Sequence, residues 1–547
     1  MKLKILIFQK KTDVGDFEKN FSKLKDGYIK ATKKKCDLFI TSELALCGYP
    51  PKDLINRKDF ILKLNNFKNK IIDLTIHKNT TFLLGTIIQK NNHLFNSVLV
   101  IRDGKIIRNI NKSILPNYGV FDEKRYFKQE EKIQKKIKFK NLNLNIFICE
   151  DLWNEKFVRS KEKNKADFNI VINASPYDKD KFMERLKLVK NRVKILNSPI
   201  LYVNLVGGQD DLVFDGGSFC INKESNLIFQ APFFKEYDDT FTFDFNKKNK
   251  KIRKKYNTNQ NLYNALVLSF RDYINGSGFS KALLGISGGI DSALSASLAC
   301  DSLGKKNVMG VFLPTKFTSR ESLKDSEMLC KNLDIKLEHI NIEYLRKQFN
   351  LTLKEPFKKF TKDVTEENIQ SRIRGSILMA MSNKLGSILI TTGNKSELAV
   401  GYSTIYGDMC GGYSIIKDLY KSDVYRLSKW RNKNLTSLCK CKLLNIIPKN
   451  IITKEPTAEL KFNQKDSDFL PSYDILDSIL YCIIDENLSL SEIIKKGFEK
   501  KLIIKIWKMI MRSEYKRFQS VIGPKVSKMN FDSDRRFPIV NRFKIDE

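Results

Sequence analysis

Two series of short β-branched runs, each alternating with helical segments, most constrain how this chain of 547 residues can fold. A polar, lysine-rich stretch at 246–260 separates the two series, and we expect it to be a linker. The division predicts one domain at 1–245 and a second at 261–547, each long enough to bury its own core. Regular alternation of strands and helices predicts that both domains are α/β.

The individual elements follow from run length and β-branched content. The first half predicts a helix at 181–196, a hairpin turn at the Asp-Gly pair within 101–107, and strands at 4–8, 37–41, 81–88, 97–101, 144–149, 168–174 and 199–206. The second half predicts helices at 261–274 and 293–303 and strands at 281–286, 307–314 and 387–394. The order of strand, glycine loop and helix in the second half is typical of an open parallel sheet.

The net charge of +36 first suggests a nucleic-acid partner. Lysine-rich pieces nevertheless lie between otherwise ordinary segments, with no zinc-finger spacing or RNA-binding aromatic motif beside them. We therefore interpret most of the charge as a compositional bias of the surface. We expect no specific nucleic-acid partner.

The scarcity of histidine excludes several kinds of site. His77, His93 and His339 lack the spacing of a zinc site, so acid–base chemistry must come from Glu, Asp, Lys or Cys. The ten cysteines show no pairing rhythm, and Cys439 and Cys441 have no second pair at zinc spacing. No apolar run approaches the roughly 18 residues needed to cross a bilayer. We expect a cytoplasmic protein with free thiols, without a signal peptide and without a membrane partner.

A glycine-rich loop joins the predicted strand at 281–286 to the helix that follows. It consists of Gly285, Ile286, Ser287, Gly288, Gly289, Ile290, Asp291 and Ser292. Its two adjacent glycines permit close approach of a ligand, and its N–H groups, with the helix N-terminus, favour an anion. It is not the common nucleotide P-loop, because no lysine follows the glycines. The alternative is a simple glycine turn in which Asp291 and Ser292 cap the helix.

SGGIDS resembles the pyrophosphate-binding loop of the N-type ATP pyrophosphatases. Further segments resemble the synthetase domain of NAD synthetases; they lie at 367–383, 391–408, 418–425, 455–477 and 513–539. The resemblance implies a doubly wound, Rossmann-like parallel sheet that uses ATP and Mg²⁺ and has no tightly bound organic cofactor. It assigns ATP binding to 285–292, Thr392 and Lys421, deamido-NAD binding to Asn368, Glu397 and Lys516, and Mg²⁺ to Asp291 and Glu397. Asn530 and Asp532 depart from the C-terminal pattern and leave its dinucleotide contacts less defined.

Cys149 stands where a predicted buried strand meets a turn. A cysteine there can face a cleft with its thiolate near backbone donors, although the alternative is a small hydrophobic core residue. Without histidine, its activation needs another base and a cation. Glu43 and Lys112 each follow a strand-like run. A carboxylate can take the thiol proton, while an ammonium group can lower the thiol pKa and stabilise an oxyanion.

The first half also resembles a known domain, in SELALCGYPP, LPNYGVFDEKRYF, ICEDLW, NASPY and NLVGGQDDLVFDGGS. These segments are similar to the nitrilase superfamily, specifically to the glutaminase domain fused to NAD synthetases. The resemblance implies an αββα sandwich in which Glu43 is the general base, Lys112 the second catalytic group, Cys149 the nucleophile and Glu123 an auxiliary carboxylate. It assigns glutamine binding to Tyr118, Ser175 and Lys181. IFIC departs from the family pattern before the cysteine, and we expect this to change packing only.

Together the resemblances imply a homo-oligomeric ligase that takes ammonia from glutamine and uses ATP to amidate deamido-NAD. One alternative is a tRNA-modifying ATP pyrophosphatase, which suits the basic charge but leaves the first half unexplained. Another is a non-enzymatic nucleic-acid binder, whose binding would depend steeply on salt.

Overall fold

The structure of the protein is a computed structural model that describes residues 1–132, 135–162, 165–247, 250–252 and 256–545. The chain divides into two compact units, Met1–Asn261 and Leu262–Glu547. Part of the proposed linker, at 248–249 and 253–255, lies outside the described residues. The helix predicted from 261 begins at Thr258, because Asn257 Oδ1 accepts a hydrogen bond from the Gln260 N–H at 3.0 Å and caps its first turn.

The first unit contains the predicted strands, with the last predicted run divided into two. The strands are β1 (Lys2–Gln9), β2 (Leu38–Thr41), β3 (Thr81–Lys90), β4 (His93–Arg102), β5 (Lys105–Asn111), β6 (Ile137–Phe139), β7 (Leu142–Ile148), β8 (Phe168–Asn173), β9 (Ile200–Asn204), β10 (Val206–Gln209), β11 (Leu212–Asp215), β12 (Phe219–Ile221), β13 (Leu227–Gln230) and β14 (Tyr237–Asp244). The helices are α1 (Phe17–Lys33), α2 (Lys58–Leu74), α3 (Glu150–Trp153), α4 (Glu155–Glu162) and α5 (Lys181–Leu196). Short 3₁₀ turns lie at Lys52–Asn56 and Glu123–Arg125.

The direction of the strands decides which loops meet in this unit. Its described residues form two large sheets, ordered β14-β1-β2-β3-β4-β5 and β13-β12-β9-β8-β7-β6. Strand β5 runs parallel to β2 and β3, because β4 is antiparallel to both β3 and β5. In the second sheet β7, β8 and β9 are parallel. The carboxyl ends of β2 and β5 therefore share one sheet edge, as do those of β7 and β8.

Hydrophobic layers hold the two sheets and the helices together. Ile5 and Ile40 of the first sheet pack with Ile146 and Ile170 of the second, and each such buried side chain contributes about 1.5–3 kcal/mol. The opposite face of the first sheet packs against α1 and α2, and that of the second against α5. The predicted αββα sandwich is thus confirmed.

The second unit combines a parallel sheet with many helices. Its strands are β15 (Ala282–Gly285), β16 (Val308–Phe312), β17 (Lys336–His339), β18 (Ile388–Thr391) and β19 (Tyr413–Ser414). Its helices are α6 (Thr258–Gly276), α7 (Ile290–Leu303), α8 (Arg320–Leu333), α9 (Glu343–Thr352), α10 (Val364–Leu385), α11 (Lys395–Val400), α12 (Lys421–Lys433), α13 (Lys449–Thr453), α14 (Tyr473–Ile484), α15 (Leu490–Lys495), α16 (Lys500–Arg512) and α17 (Glu514–Phe518), with 3₁₀ turns at Lys305–Asn307 and Asp466–Asp468. Among the residues described, no helix is both long and apolar enough to cross a membrane.

The sheet of the second unit has the order β17-β16-β15-β18-β19, and every pair is parallel. Gly310 of β16 faces Cys330 of α8, whereas its neighbour Val311 packs with Ile373 of α10. Because adjacent strand residues point to opposite faces, helices cover both faces. This confirms the doubly wound sheet. Its strand order reverses between β15 and β18, where open α/β sheets bind ligands.

Candidate active sites

The ammonium group of Lys112 lies between two carboxylates in the first unit. Lys112 Nζ is 2.7 Å from Glu43 Oε1 and 2.9 Å from Glu123 Oε1. The side chains of Lys112 and Glu43 are 0% exposed. Glu43 follows β2 and Lys112 follows β5, so the shared edge of these strands accounts for their contact. Glu123 reaches them from a 3₁₀ turn.

Burial and charge together decide which of these groups carries a proton. Burial alone lowers the pKa of Lys112, but Glu123 and Glu43 outweigh it and hold that pKa well above its ordinary value. Burial raises the pKa of Glu123 to about 7, against the opposing effect of Lys112. One ammonium group cannot fully neutralise two buried carboxylates. Glu123 therefore gains a proton near neutral pH.

Two further donors fix the carboxylate of Glu43. Asn96 Nδ2 donates to Oε1 at 2.7 Å, and the backbone N–H of Ala174, which follows β8, donates to Oε2 at 2.9 Å. With Lys112, each oxygen of Glu43 is engaged by groups that are themselves buried. A reacting partner therefore meets this carboxylate in one orientation.

Cys149 is the first residue after β7 and immediately precedes α3. Its φ of +46° lies in the left-handed region, which a residue other than glycine rarely adopts, and its N–H donates to Ile172 O at 2.9 Å. Burial raises the pKa of the Cys149 thiol well above its usual value, Glu43 raises it further, and Lys112 lowers it. The thiol is thus protonated at rest and needs a base to become a nucleophile.

Two of the predicted glutamine-binding residues lie near Glu150, the neighbour of Cys149. The hydroxyl of Tyr118 donates to Glu150 Oε2 at 2.9 Å. Lys181 begins α5, and its Nζ lies 4.5 Å from the centre of the Trp153 ring. Burial raises the pKa of Glu150, while Tyr118 and Lys181 oppose that rise. The structure therefore brings Tyr118 and Lys181 near Glu150, and their binding of glutamine stays a prediction.

The third of these residues, Ser175, follows β8 and lies in a buried network. Its N–H donates to Asn204 Oδ1 at 2.9 Å, and its Oγ accepts from Arg185 Nε at 3.1 Å. Arg185 also donates to Asp215 Oδ1 at 2.7 Å. Ser175 is held firmly in place at the same sheet edge as Cys149.

In the second unit, the glycine loop follows β15 at the reversal of strand order. Gly288 has a φ of +76°, and a Cβ there would lie 2.6 Å from the backbone oxygen of Ser322. Gly289 has a φ of −90°, so of the two adjacent glycines Gly288 alone needs the left-handed region. Helix α7 begins at Ile290, earlier than the predicted 293, because the end of the loop forms its first turn.

The alternative interpretation of this loop, a simple glycine turn in which Asp291 and Ser292 cap the helix, is wrong about the cap. The N-cap of α7 is Gly289, which has no side chain to bind the first N–H groups. Ser292 Oγ instead donates to Gly289 O at 3.0 Å, and Asp291 binds residues far along the chain. An uncapped helix N-terminus behind a glycine loop favours an anion.

Lys421 lies between two carboxylates as well. Its Nζ is 2.5 Å from Asp291 Oδ2 and 3.0 Å from Glu397 Oε1. Asn394, the N-cap of α11, donates to Asp291 Oδ1 at 2.8 Å. Burial alone lowers the pKa of Lys421, but Asp291 and Glu397 outweigh it and raise that pKa. Burial raises the pKa of Glu397 to about 8 despite the opposing effect of Lys421.

Two adjoining pockets lie beside the glycine loop, and the first of them borders this cluster. Ser287, Asp291, Ser292, Thr392, Glu397 and Asp408 line one of them. Gly285, Ile286, Ser287, Thr392, Arg374 and Asp408 are among the residues that line the other. Thr392 directly follows β18 and the loop follows β15, so both come from the strands that flank the reversal. Segments predicted separately thus share one cleft, where this class of sheet binds ligands.

Asn368 and Lys516 form hydrogen bonds with segment 401–404, part of which lines the cleft. Asn368 Oδ1 accepts from Thr404 Oγ1 at 2.8 Å, and Lys516 Nζ donates to Gly401 O and Ser403 O at 2.8 and 2.7 Å. In the described part of the chain, neither residue lines the two pockets. Their direct binding of deamido-NAD stays a prediction.

Sequence reasoning did not single out Arg374 or Asp408. Burial lowers the pKa of Arg374 to about 10 and raises the pKa of Asp408 to about 6. Arg374 Nε donates to Leu313 O at 3.1 Å. Both lie within the family-like segments at 367–383 and 391–408, where their charges were the signal that could have found them.

The donor chemistry at Asp291 and Glu397 fits Mg²⁺. No group of three or more His, Cys, Asp or Glu that could hold a metal ion occurs in the described ranges. Mg²⁺ is nevertheless commonly held by one or two carboxylates, with water and phosphate oxygens as its remaining ligands.

Comparison with known proteins assigns a family to each unit. The carbon-nitrogen hydrolase family matches residues 7–240, and the NAD synthase family matches residues 262–520. A glutamine-dependent NAD(+) synthetase of Acinetobacter baylyi is 39% identical over 550 residues and covers 100% of this chain and 99% of its own length. That of Thermotoga maritima is 38% identical, with 99% of both chains covered.

Solved structures give the same relationship. The glutamine-dependent NAD+ synthetase of Acinetobacter baumannii, in complex with ADP, has a TM-score of 0.78 and 36% identity, with both chains fully covered. That of Cytophaga hutchinsonii, at 20% identity, shares the fold with a TM-score of 0.85 over 99% of this chain and 98% of its own. These matches cover the first half of the chain. The alternative of a tRNA-modifying ATP pyrophosphatase does not account for that half. The chain therefore belongs to the family of glutamine-dependent NAD(+) synthetases, ligases in which a carbon-nitrogen hydrolase domain is fused to an NAD synthase domain.

Proposed function

We propose that the first unit releases ammonia from glutamine at Cys149 and that the second unit uses it to convert deamido-NAD to NAD. One observation carries the proposal: a single chain holds both a buried Glu–Lys pair near a cysteine and a glycine loop beside a carboxylate-bound lysine. A thiol site and a phosphate site supply the two halves of such a reaction, nitrogen release and carboxylate activation.

In the first unit, Glu43 takes the proton of the Cys149 thiol, and the thiolate attacks the carboxamide carbon of glutamine. Lys112 stabilises the tetrahedral oxyanion, and Glu43 returns the proton to the departing ammonia. Water, activated by Glu43, then hydrolyses the thioester and releases glutamate. Glu123 orients Lys112, while Tyr118, Ser175 and Lys181 bind glutamine. The three donors on Glu43 support this role, because they hold it in one orientation.

In the second unit, the carboxylate of deamido-NAD attacks the α-phosphate of ATP and pyrophosphate leaves. Ammonia then displaces AMP from the adenylate and gives the amide. Loop 285–292, Thr392 and Lys421 bind the ATP phosphates, and Asn368, Glu397 and Lys516 bind deamido-NAD. Asp291 and Glu397 would hold Mg²⁺, which when bound neutralises phosphate charge.

The family relationship also supports a homo-oligomer that works in a reducing cytoplasm. The ten cysteines, all within the described residues, are free thiols, as that compartment requires. Light scattering on the purified protein measures the oligomer directly.

The test supplies purified protein with deamido-NAD, ATP, Mg²⁺ and either glutamine or ammonium chloride, and measures NAD, AMP and pyrophosphate. Cys149→Ala is expected to lower glutamine-dependent synthesis by about 10³-fold or more, with ammonia-dependent synthesis unchanged. Cys36→Ala, which removes an equally buried thiol of the same unit, is expected to retain both activities. Absence of NAD from either nitrogen source would refute the proposal, and loss of both activities in Cys149→Ala would refute the division into two sites.

A further inference from the structure

The carboxylate of Asp151 joins the backbone beside Lys112 to the backbone beside Cys149. Asp151 Oδ1 accepts from the N–H groups of Ser113 and Ile114, at 2.9 and 2.8 Å, which directly follow Lys112. Its Oδ2 accepts from the N–H of Ile148, which directly precedes Cys149, at 3.0 Å. Asp151 is 2% exposed. One buried side chain thus binds three backbone donors from both elements.

These elements belong to different sheets. Lys112 follows β5 of the first sheet, and Cys149 follows β7 of the second. Apolar side chains pack between the two sheets, and such contacts are not directional. Hydrogen bonds at their edges are therefore needed to fix the position of one catalytic group relative to another.

Glu43 already has such a link to the second sheet, through the N–H of Ala174 after β8. The backbone N–H of Lys112 donates to Asn96 O at 2.7 Å, which ties Lys112 to β4 of its own sheet. Asp151 supplies the corresponding link between Lys112 and the second sheet. Burial raises the pKa of Asp151 to about 6, and the backbone donors oppose that rise, so its carboxylate is retained near neutral pH at a desolvation cost.

We propose that Asp151 is a positioning residue of the glutaminase site, which holds Lys112 in register with Cys149. The proposal rests on the proposed roles of those two residues. An aspartate suits this place because both of its oxygens accept hydrogen bonds. The amide of asparagine has one acceptor oxygen, so its NH₂ group would face a backbone N–H and that hydrogen bond would be lost.

The experiment uses the full-length protein with Asp151→Asn. We expect kcat for glutamine hydrolysis to fall about 100-fold, the KM for glutamine to stay close to that of the wild type, and ammonia-dependent synthesis to be unchanged. The rate at which iodoacetamide inactivates the glutaminase, measured against pH, reports the Cys149 thiolate. Its profile should move to higher pH in Asp151→Asn, because the thiolate loses the nearby charge of Lys112.

Two further variants separate positioning from folding. Asp151→Glu keeps both acceptor oxygens, and its kcat for glutamine hydrolysis should be about tenfold higher than that of Asp151→Asn. Asp37→Asn alters a carboxylate that binds the N–H of Lys4 at 2.8 Å, at the opposite end of β2 from Glu43, and should leave kcat and the inactivation profile unchanged. Near-ultraviolet circular dichroism checks that the first unit is folded in each variant.

A wild-type kcat in Asp151→Asn would overturn the proposal. So would a lower kcat with an unchanged inactivation profile in a folded variant, because the thiolate would then still sense Lys112. An equal loss in Asp37→Asn would do the same, since it would reveal a general effect of carboxylates that bind backbone N–H groups. Failure of the proposed function is distinct from these outcomes, because the wild-type protein would then make no NAD from glutamine.

Discussion

Lys112 and Lys421 each bind two carboxylates, yet their surroundings differ. The side chains of Lys112, Glu43 and Glu123 are 0%, 0% and 6% exposed, whereas those of Lys421, Asp291 and Glu397 are 3%, 17% and 17% exposed. The first group lies at a closed sheet edge and has a thiol as its neighbour. The second borders an open cleft beside a glycine loop.

The difference in burial indicates different roles for the two lysines, although each lies between two carboxylates. In a dry site, a lysine that loses its carboxylates, or carboxylates that lose their lysine, leaves an uncompensated charge, so the group stays together during the reaction. Beside an open cleft, carboxylates that are partly exposed can be solvated when the lysine leaves them, so the lysine can exchange a carboxylate for a phosphate. We infer that Lys112 is a permanent partner of its acids and Lys421 an exchangeable one.

Removing each lysine tests this comparison most strongly. Lys112→Met should lower glutamine-dependent synthesis by about 10³-fold and leave ammonia-dependent synthesis intact, because the oxyanion loses its cation. Lys421→Met should lower both activities by about 10²-fold, because both need ATP. NAD formation with each nitrogen source measures the effect.

Thermal unfolding of the same variants measures how much stability is lost when a buried ion pair loses its lysine. Removing one partner of a buried ion pair costs about 3–5 kcal/mol, so Lys112→Met should lower the Tm of its unit more than Lys421→Met lowers that of the other. Lys52→Met, which removes an exposed lysine that pairs with Asp210, serves as the control. Equal Tm losses in both variants would contradict the distinction between permanent and exchangeable partners.

The second site also depends on backbone geometry, which a pair of glycine variants examines. Gly288→Ala places a Cβ 2.6 Å from Ser322 O at a φ of +76°, whereas the nearest contact in Gly289→Ala is a side-chain hydroxyl at 3.3 Å. We expect Gly288→Ala to lower kcat/KM for ATP about 100-fold and Gly289→Ala to lower it much less. The glutaminase activity of both should equal that of the wild type. A larger effect from Gly289→Ala would show that the loop binds its ligand in another conformation.

The smallest expected effect concerns stability, which depends on pH through the protonation of Glu123. Its pKa of about 7 in the folded protein exceeds the value of about 4.3 in an unfolded chain, so the folded state binds more protons between these pH values. The contribution of Glu123 to stability is therefore present at low pH and lost as pH rises through 7. Glu123→Gln should show a smaller fall of Tm between pH 5 and 8 than the wild type, by a few degrees.

Calorimetry at the two pH values makes this measurement, with Glu18→Gln, an exposed carboxyl, as the control. The glutaminase kcat of Glu123→Gln should fall about tenfold, because the neutral amide holds Lys112 more weakly. An identical pH dependence in variant and wild type would place the titrating proton elsewhere.

Much of the fold could be predicted because buried strands are short and apolar. β2 and β8 are buried along their whole length and were visible as runs of Leu, Ile, Phe and Val. Glu43 and Cys149 follow buried apolar runs, whereas Lys112 follows a strand-like run that is mostly exposed, so their place near strand ends followed from the sequence. Their proximity did not, because it depends on the direction of β5, which the antiparallel pairing of β3, β4 and β5 sets.

The contacts that orient the sites lay beyond local patterns. Asn394 binds Asp291 across 103 residues, and Asp151 binds Ser113 across 38. An asparagine or aspartate near a turn is ordinary in any sequence, so its partner is decided by tertiary packing. Asn368 and Lys516 were assigned by likeness to a family, and the structure shows them tied to the 401–404 segment. Their contact with substrate stays a prediction.

The pairing of β1 with β14, from Lys2 with Asp244 to Gln9 with Tyr237, has a consequence for protein synthesis. Glu43, Lys112 and Cys149 have all been synthesised once residue 149 is made, but the first sheet cannot gain its edge strand until Asp244 has followed. At about 5–20 residues per second this interval lasts roughly 5–20 s. During it, β1 presents an unpaired edge to other nascent chains. The edge of β1 is therefore open to incorrect pairing before the second unit has been made, a period in which chaperones can protect it.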